Sequence, residues 1–208
     1  MNHLRHTLCY LTRNAYPITS MSAKAMHLFA HWLDEELPFI YPRQPSALPL
    51  DVVQLAIPSF DPQTQTKHRT AYLVSQHHIT HTQNLPTLDI IFPQLKHHDA
   101  TSIGIYGSYC WQYLTKKNYV QADSDLDLLF RYDHRSLFSL KTLHQELSHR
   151  LGKTIDGEIR FPHWGDCSWP ELIAEKANDQ ILLKTSSHVG LISRTELYHA
   201  FPTLLHSP

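Results

Sequence analysis

The sequence predicts an α+β fold with a mixed sheet, and three observations predict it. Residues 103–106 read as a strand that runs into Gly107-Ser108 and a short helix over 108–114. Residues 124–131 read as a second strand in which Asp125 and Asp127 alternate with Leu126, Leu128 and Phe130, so acids and apolar side chains take opposite faces. Leu137, Leu140, Leu143, Leu147 and Leu151 recur at helical spacing over 136–151, and Gly152 supplies the stop.

The remaining elements follow in order. Met26, Phe29, Trp32, Leu33 and Leu37 form an apolar stripe on a helix over 20–37, ended by Pro38. Pro38, Pro42, Pro45, Pro49, Pro58 and Pro62 keep any helix over 38–66 short. Residues 70–75 and 87–92 read as short strands, and Pro93 with the run Lys96-His97-His98-Asp99 closes the first half. This places a boundary near residue 98, with a smaller α+β domain over 1–98 and a second domain over 99–208. In the second domain, 154–161 alternate as a strand, with Ile155, Ile159 and Phe161 facing one way and Asp156, Glu158 and Arg160 the other. Ser168 with Glu171, and Ser193 with Glu196, are capping boxes that open two helices. Between them, 180–184 and 188–192 form a hairpin.

Composition narrows the function. The chain has 208 residues, with Lys+Arg 18 against Asp+Glu 19, which lacks the basic footprint of a nucleic-acid-binding protein. Its 17 histidines include His77-His78, His81 and His97-His98. They lie in polar stretches without metal-site spacing, and read as exposed loop residues whose charge climbs below pH ~6.5. Cys9, Cys110 and Cys167 form neither a disulfide framework nor a zinc spacing, which suits a reducing cytoplasm. Cys110 reads as a small buried hydrophobe rather than a nucleophile. Arg5, His6, Arg13 and Asn14 interrupt the N-terminal stretch, and no run approaches the ~18 apolar residues of a membrane span. A soluble, unexported protein with no membrane partner is expected.

The chemistry concentrates at two places. A lone Asp-x-Asp is ordinarily an exposed carboxylate pair, but here Asp125 and Asp127 follow a Gly-Ser turn by a short interval. The turn offers backbone N–H groups and a helix N-terminus to phosphate oxygens through Gly107 and Ser108. Two carboxylates about 6–7 Å apart along a strand can converge on Mg²⁺, which prefers oxygen ligands. Asp156 or Glu158 supplies a third carboxylate to orient or deprotonate a nucleophile, with Asp156 preferred. Arg131, Arg160, Lys184 and Arg194 are candidate phosphate contacts, of which Lys184 ends an apolar strand of the same domain.

Gly-Ser followed by Asp-x-Asp resembles the nucleotidyltransferase superfamily of the DNA polymerase β type. The longer string from Tyr106 to Thr115, then Tyr119, then Asp123 to Leu129, is similar to one branch of it. So are Asp156-Gly-Glu-Ile-Arg-Phe-Pro162, Trp169 and Ile181-Leu-Leu-Lys184. That branch is the phosphoribosyl-dephospho-CoA transferases that complete malonate decarboxylase, its holo-acyl-carrier-protein synthases. The likeness covers about residues 103–194 and is faint before them.

The resemblance implies a polymerase-β-like fold and a defined reaction. The donor would be 2'-(5''-triphosphoribosyl)-3'-dephospho-CoA and the acceptor a serine on the apo acyl-carrier subunit of malonate decarboxylase. Diphosphate would leave. The family's metal carboxylates map to Asp125 and Asp127, and its phosphate turn to Gly107 and Ser108. Lys116-Lys117-Asn118 departs from the smaller, Gly-containing turn expected after Thr115. These added cations would favour a highly phosphorylated donor or an acidic carrier. By elimination, the first half would bind the dephospho-CoA end or the carrier. A nucleotidyltransferase that uses an NTP on an aminoglycoside or another protein is the alternative, and a decayed binding module is disfavoured by the intact turn and acids.

Overall fold

A computed structural model describes residues 3–61, 66–95, 102–174 and 179–206. The chain divides into two units, each with its own sheet. The boundary expected near residue 98 lies outside the described residues, as do Lys96, His97, His98 and Asp99. Among the described residues there are six α-helices, and none is long and apolar enough to cross a membrane.

The first unit comprises Met1–Leu85, Leu114–Tyr119 and Ser186–His188. It holds β1 (Leu8–Leu11), α1 (Ala23–Asp34), β2 (Phe39–Ile40), β3 (Val52–Asp61), β4 (Thr66–Ser75) and β5 (Ile79–Gln83). The strands lie in the order β4-β3-β2-β1-β5 with antiparallel pairings. Helix α1 starts where the Ser22 hydroxyl accepts from the Ala25 N–H. It buries Phe29 and Trp32, and the indole N–H of Trp32 donates to the Pro38 carbonyl at 2.8 Å. Phe29 meets Phe39 and Tyr72 of the sheet at 5.2 and 5.0 Å between ring centroids. Met26, expected in that stripe, is instead 41% exposed at the helix edge.

Strand β3 runs ten residues through Pro58 and pairs with the whole of β4, which begins four residues before the expected 70–75. Its pairing with β2 is at Ile40–Ala56, so Pro58 falls where β3 is laddered on one side only. Such positions tolerate a residue without an N–H. Lys116, which follows α3 (Gly107–Thr115), has φ +59. The slot where a glycine was expected is a genuine left-handed position, filled here by lysine.

The second unit comprises Pro86–Tyr113, Val120–Thr185 and Val189–Pro208. It adds α2 (Leu88–Ile91), β6 (Ile103–Ile105), β7 (Leu126–Arg131), α4 (Leu137–Leu151), β8 (Ile155–Phe161) and β9 (Gly165–Ser168). Then come α5 (Trp169–Ile173), β10 (Gln180–Lys184), β11 (Val189–Ser193) and α6 (Arg194–Ala200). The strand order is β11-β10-β9-β8-β7-β6, parallel at β7–β8 and antiparallel elsewhere. The mixed sheet expected from the sequence is therefore present, with α4 as the crossover that a parallel pair requires. Leu126, Leu128, Phe130, Ile155, Ile159 and Phe161 are buried, as are Leu140, Leu143 and Leu147 on α4. The Trp169 indole donates to the Leu140 carbonyl at 3.2 Å and its ring meets Phe130 at 5.3 Å. Both helices open on the expected serine caps, with Ser168 accepting from the Glu171 N–H and Ser193 from the Glu196 N–H.

Residues 87–92 are a short helix, not a strand. Thr87 alone bridges to Gly104, and Asp89 lies in the first turn of α2, where a negative charge favours helix.

Gly157 fixes the spacing of the two central strands. Its φ is +157, and an added Cβ would lie 2.3 Å from the Leu128 carbonyl oxygen. We expect Gly157→Ala to destabilise the protein by about 2–5 kcal/mol, from backbone strain and overpacking together. Urea unfolding checks this, and an unchanged midpoint would contradict it.

Candidate active site

Local geometry gathers three acids. In the parallel register Asp127 of β7 stands beside Asp156 of β8, so their side chains share one face. Asp125 immediately precedes β7. Carboxylate oxygens of Asp125, Asp127 and Asp156 lie within 4.8 Å of one another. Asp125 and Asp127 are half-buried and Asp156 is exposed. One Asp156 oxygen accepts from the Gly157 N–H at 2.7 Å. An oxygen-only donor set of this size fits a hard divalent cation such as Mg²⁺, rather than a metal that favours sulfur or imidazole.

The Gly-Ser turn lies against this cluster. The Tyr106 N–H donates to the Asp127 carbonyl at 3.0 Å. Gly107 has φ +64, and a Cβ built there would meet Asp127 Oδ2 at 1.8 Å. Only glycine satisfies both conditions. Helix α3 begins at Gly107, so its unbonded first-turn amides open beside the acids. Ser108 is buried in that first turn.

Glu158 is not part of the trio. It is 4% exposed and accepts from Lys184 Nζ at 2.8 Å. Alternation puts Glu158 and Asp156 on one face, but Glu158 is laddered beside Leu129 and Ser168, one step farther from Asp127. Asp156 is therefore the third carboxylate of the cluster. Lys184, expected to meet phosphate, has its ammonium committed to Glu158.

Arg194 departs most from expectation. It is buried, and its guanidinium donates to the carbonyls of Leu172 and Glu171 at 3.0 and 2.6 Å and to the Tyr198 hydroxyl at 3.1 Å. It braces α5 against α6 instead of facing the acids. Arg160 is paired with Asp166 through two bonds of 2.6 and 2.8 Å. Arg131 ends β7 four residues past Asp127, about 13 Å along the strand.

Burial pushes the Cys110 thiol up to about 12, so it stays protonated and packs as a small apolar group, as expected. His77 and His81 are exposed, while His78 is half-buried and its Nδ1 lies 3.2 Å from the Thr12 hydroxyl. One cation absent from the sequence candidates meets a side chain of the first turn of α3. Lys153 Nζ sits 6.0 Å from the ring centroid of Tyr109, the residue after Ser108.

Comparison with known proteins gives one consistent result. The family model described as phosphoribosyl-dephospho-CoA transferase MdcG C-terminal domain matches residues 72–195. A relative from Xanthomonas axonopodis pv. citri (strain 306), named phosphoribosyl-dephospho-CoA transferase, is 26% identical, covering 94% of this chain and 97% of its own. One of the same name from Xanthomonas campestris pv. campestris (strain 8004) is 27% identical, covering 93% and 96%. A third, from Bradyrhizobium diazoefficiens, is 27% identical over 80% of this chain and 78% of its own. No solved structure matches the chain.

His144 on α4 supports the strand that carries Asp156, with Nε2 3.1 Å from the Ile155 carbonyl. Its pKa is lowered by burial, against smaller opposing effects of that hydrogen bond and of Asp156. The unfolded chain therefore binds the proton more readily. Stability from this group is complete above about pH 6.5 and is lost as pH falls toward the lowered folded-state value. We expect His144→Gln to flatten part of the melting-temperature decline below pH 6.5, and identical pH profiles would refute that.

Proposed function

Because the chain belongs to the phosphoribosyl-dephospho-CoA transferase MdcG family and is a transferase enzyme, we propose that it moves a phosphoribosyl-dephospho-CoA group onto a carrier protein. The donor is 2'-(5''-triphosphoribosyl)-3'-dephospho-CoA. The acceptor is a serine of the apo acyl-carrier subunit of malonate decarboxylase, and diphosphate is released. The observation that carries this reading is the contact of the acid trio with the Gly107 turn, which brings carboxylates and helix amides to one point. A polymerase-β-like nucleotidyltransferase arrangement is the architecture we assign to the second unit.

The serine oxygen bonds to the phosphorus nearest the ribose. The bond from that phosphorus to the next bridging oxygen breaks, and its electrons leave with diphosphate. The serine proton passes to Asp156, whose second oxygen is held by the Gly157 N–H. The first-turn amides of α3 and the Ser108 hydroxyl bind the phosphate oxygens. Asp125 and Asp127 would hold Mg²⁺, which when bound neutralises charge on the transferring and leaving oxygens. The Glu158–Lys184 pair stiffens the sheet beside Asp156. The first unit is assigned to the dephospho-CoA end of the donor or to the carrier.

Intact-mass spectrometry of the apo carrier, after incubation with donor, Mg²⁺ and this protein, tests the reading. A mass gain equal to the phosphoribosyl-dephospho-CoA group is expected. NTP-dependent modification of an aminoglycoside, with no change in carrier mass, would replace the assigned acceptor. Asp125→Asn, Asp127→Asn and Gly107→Ala should each slow transfer by roughly 10²-fold or more, the scale of losing charge stabilisation in the transition state. Circular dichroism should show Asp125→Asn and Asp127→Asn still folded, and near-normal turnover in both would reject the metal assignment.

A further inference from the structure

Lys153 stands where a helix stop meets the strand that carries Asp156. Gly152 ends α4 in the left-handed conformation, φ +58, with its N–H donating to the Ser148 carbonyl. The Lys153 N–H reaches the same carbonyl at 3.3 Å, and the Lys153 carbonyl accepts from Ser148 Oγ at 2.7 Å. Both polar backbone groups of Lys153 are thus held, and the point from which its side chain departs is fixed.

The side chain ends over the Tyr109 ring. Phe92 packs on the same ring with centroids 5.7 Å apart, which steadies it. Tyr109 follows Gly107 and Ser108 in the first turn of α3, so the ammonium is held against a side chain of the helix turn that abuts Asp127. Lys153 is half-buried, and among the described residues its ammonium makes no ion pair or hydrogen bond. A ring face attracts an ammonium without neutralising it. A carboxylate partner, such as Glu158 provides for Lys184, would cancel the charge. The mount therefore holds a positive charge against the first turn of α3 without a carboxylate partner among the described residues.

We propose that Lys153 contacts the phosphates that leave as diphosphate, an inference that rests on the reading of this turn as the triphosphate seat. Three carboxylates facing a triphosphate crowd like charges together, and the leaving oxygens gain charge as their bond to the transferred phosphorus breaks. A fixed ammonium beside them stabilises that developing charge. Tyr109 is a positioning residue, acting through the lysine it seats.

Calorimetric titration of the full chain with magnesium diphosphate tests this, using wild type, K153M and K153R. K153M should bind diphosphate about tenfold more weakly, in line with loss of one charge-assisted contact. K153R should recover most of that affinity, and dephospho-CoA binding should not move in either variant. In parallel, the Lys153 amine of wild type should lose reactivity toward an acylating reagent when magnesium diphosphate is present, as mapped by mass spectrometry. Equal diphosphate affinity in wild type and K153M, or an amine that diphosphate does not protect, overturns the role of Lys153 and leaves the site reading standing. A wild-type chain that binds no magnesium diphosphate overturns the triphosphate seat itself. K153R falling as far as K153M, with a lowered melting temperature, would assign Lys153 a structural role and also overturn the inference.

Discussion

The approach of the Asp127 carboxylate to the bare Cα of Gly107 is the constraint on which the site depends. A side chain at position 107 would need space already filled, since its first carbon would lie 1.8 Å from Asp127 Oδ2. The backbone there also occupies the left-handed region that favours glycine. The bond from the Tyr106 N–H to the Asp127 carbonyl locks the end of β6 to β7 at the same level. Turn, helix start and acid thus form one hydrogen-bonded object, and neither can shift without the other. Gly157 extends the arrangement, because its missing side chain lets β8 close on Leu128 and bring Asp156 level with Asp127.

The sheet of the second unit separates two kinds of work by face. One face carries Leu126, Leu128 and Phe130 of β7 and Ile155, Ile159 and Phe161 of β8, which are buried with α4 and Trp169 and supply hydrophobic stabilisation. The other carries Asp127, Asp156, Glu158, Arg160 and Asp166, with Lys184 reaching in from β10. Burying charge is unfavourable unless each group is paired, and here Glu158 meets Lys184 and Asp166 meets Arg160. Such pairs add little net stability over apolar residues, whereas removing one member costs about 3–5 kcal/mol. Their effect is on geometry: they hold the ladder beside the acids in one register.

What could be read from the sequence was local. The Gly-Ser turn, the alternation at Asp125 and Asp127, the helix stop at Gly152 and the two serine caps are short-range signals, and each forms. Asp156 and Glu158 share a face by alternation, so only the cross-strand neighbours distinguish them, and Lys184 lies 26 residues away. Arg194 looked available because its acceptors are carbonyls 22 and 23 residues earlier, which no spacing rule connects to it. Strand β3 was hidden by Pro58, whose tolerance depends on how far β2 extends alongside. Residues 87–92 misled through β-branched content, where a first-turn acid and loss of sheet partners beyond Thr87 decide for helix.

The charge balance sharpens the question of how a polyanion is held at all. With a formal net charge of -1, the chain as a whole exerts no long-range pull on a phosphorylated ligand. Attraction must come from fixed local sources, and three of the candidate cations already have partners within the protein. Arg160 and Lys184 answer the carboxylates of Asp166 and Glu158, and Arg194 answers open carbonyls at the end of α5. Each solves a problem of folding and is thereby lost to a ligand. The helix amides at Gly107 remain, together with the Lys153 ammonium seated over an aromatic face. Aromatic seating differs from ion pairing in this respect: it sets the position of a cation while leaving its field for whatever anion arrives.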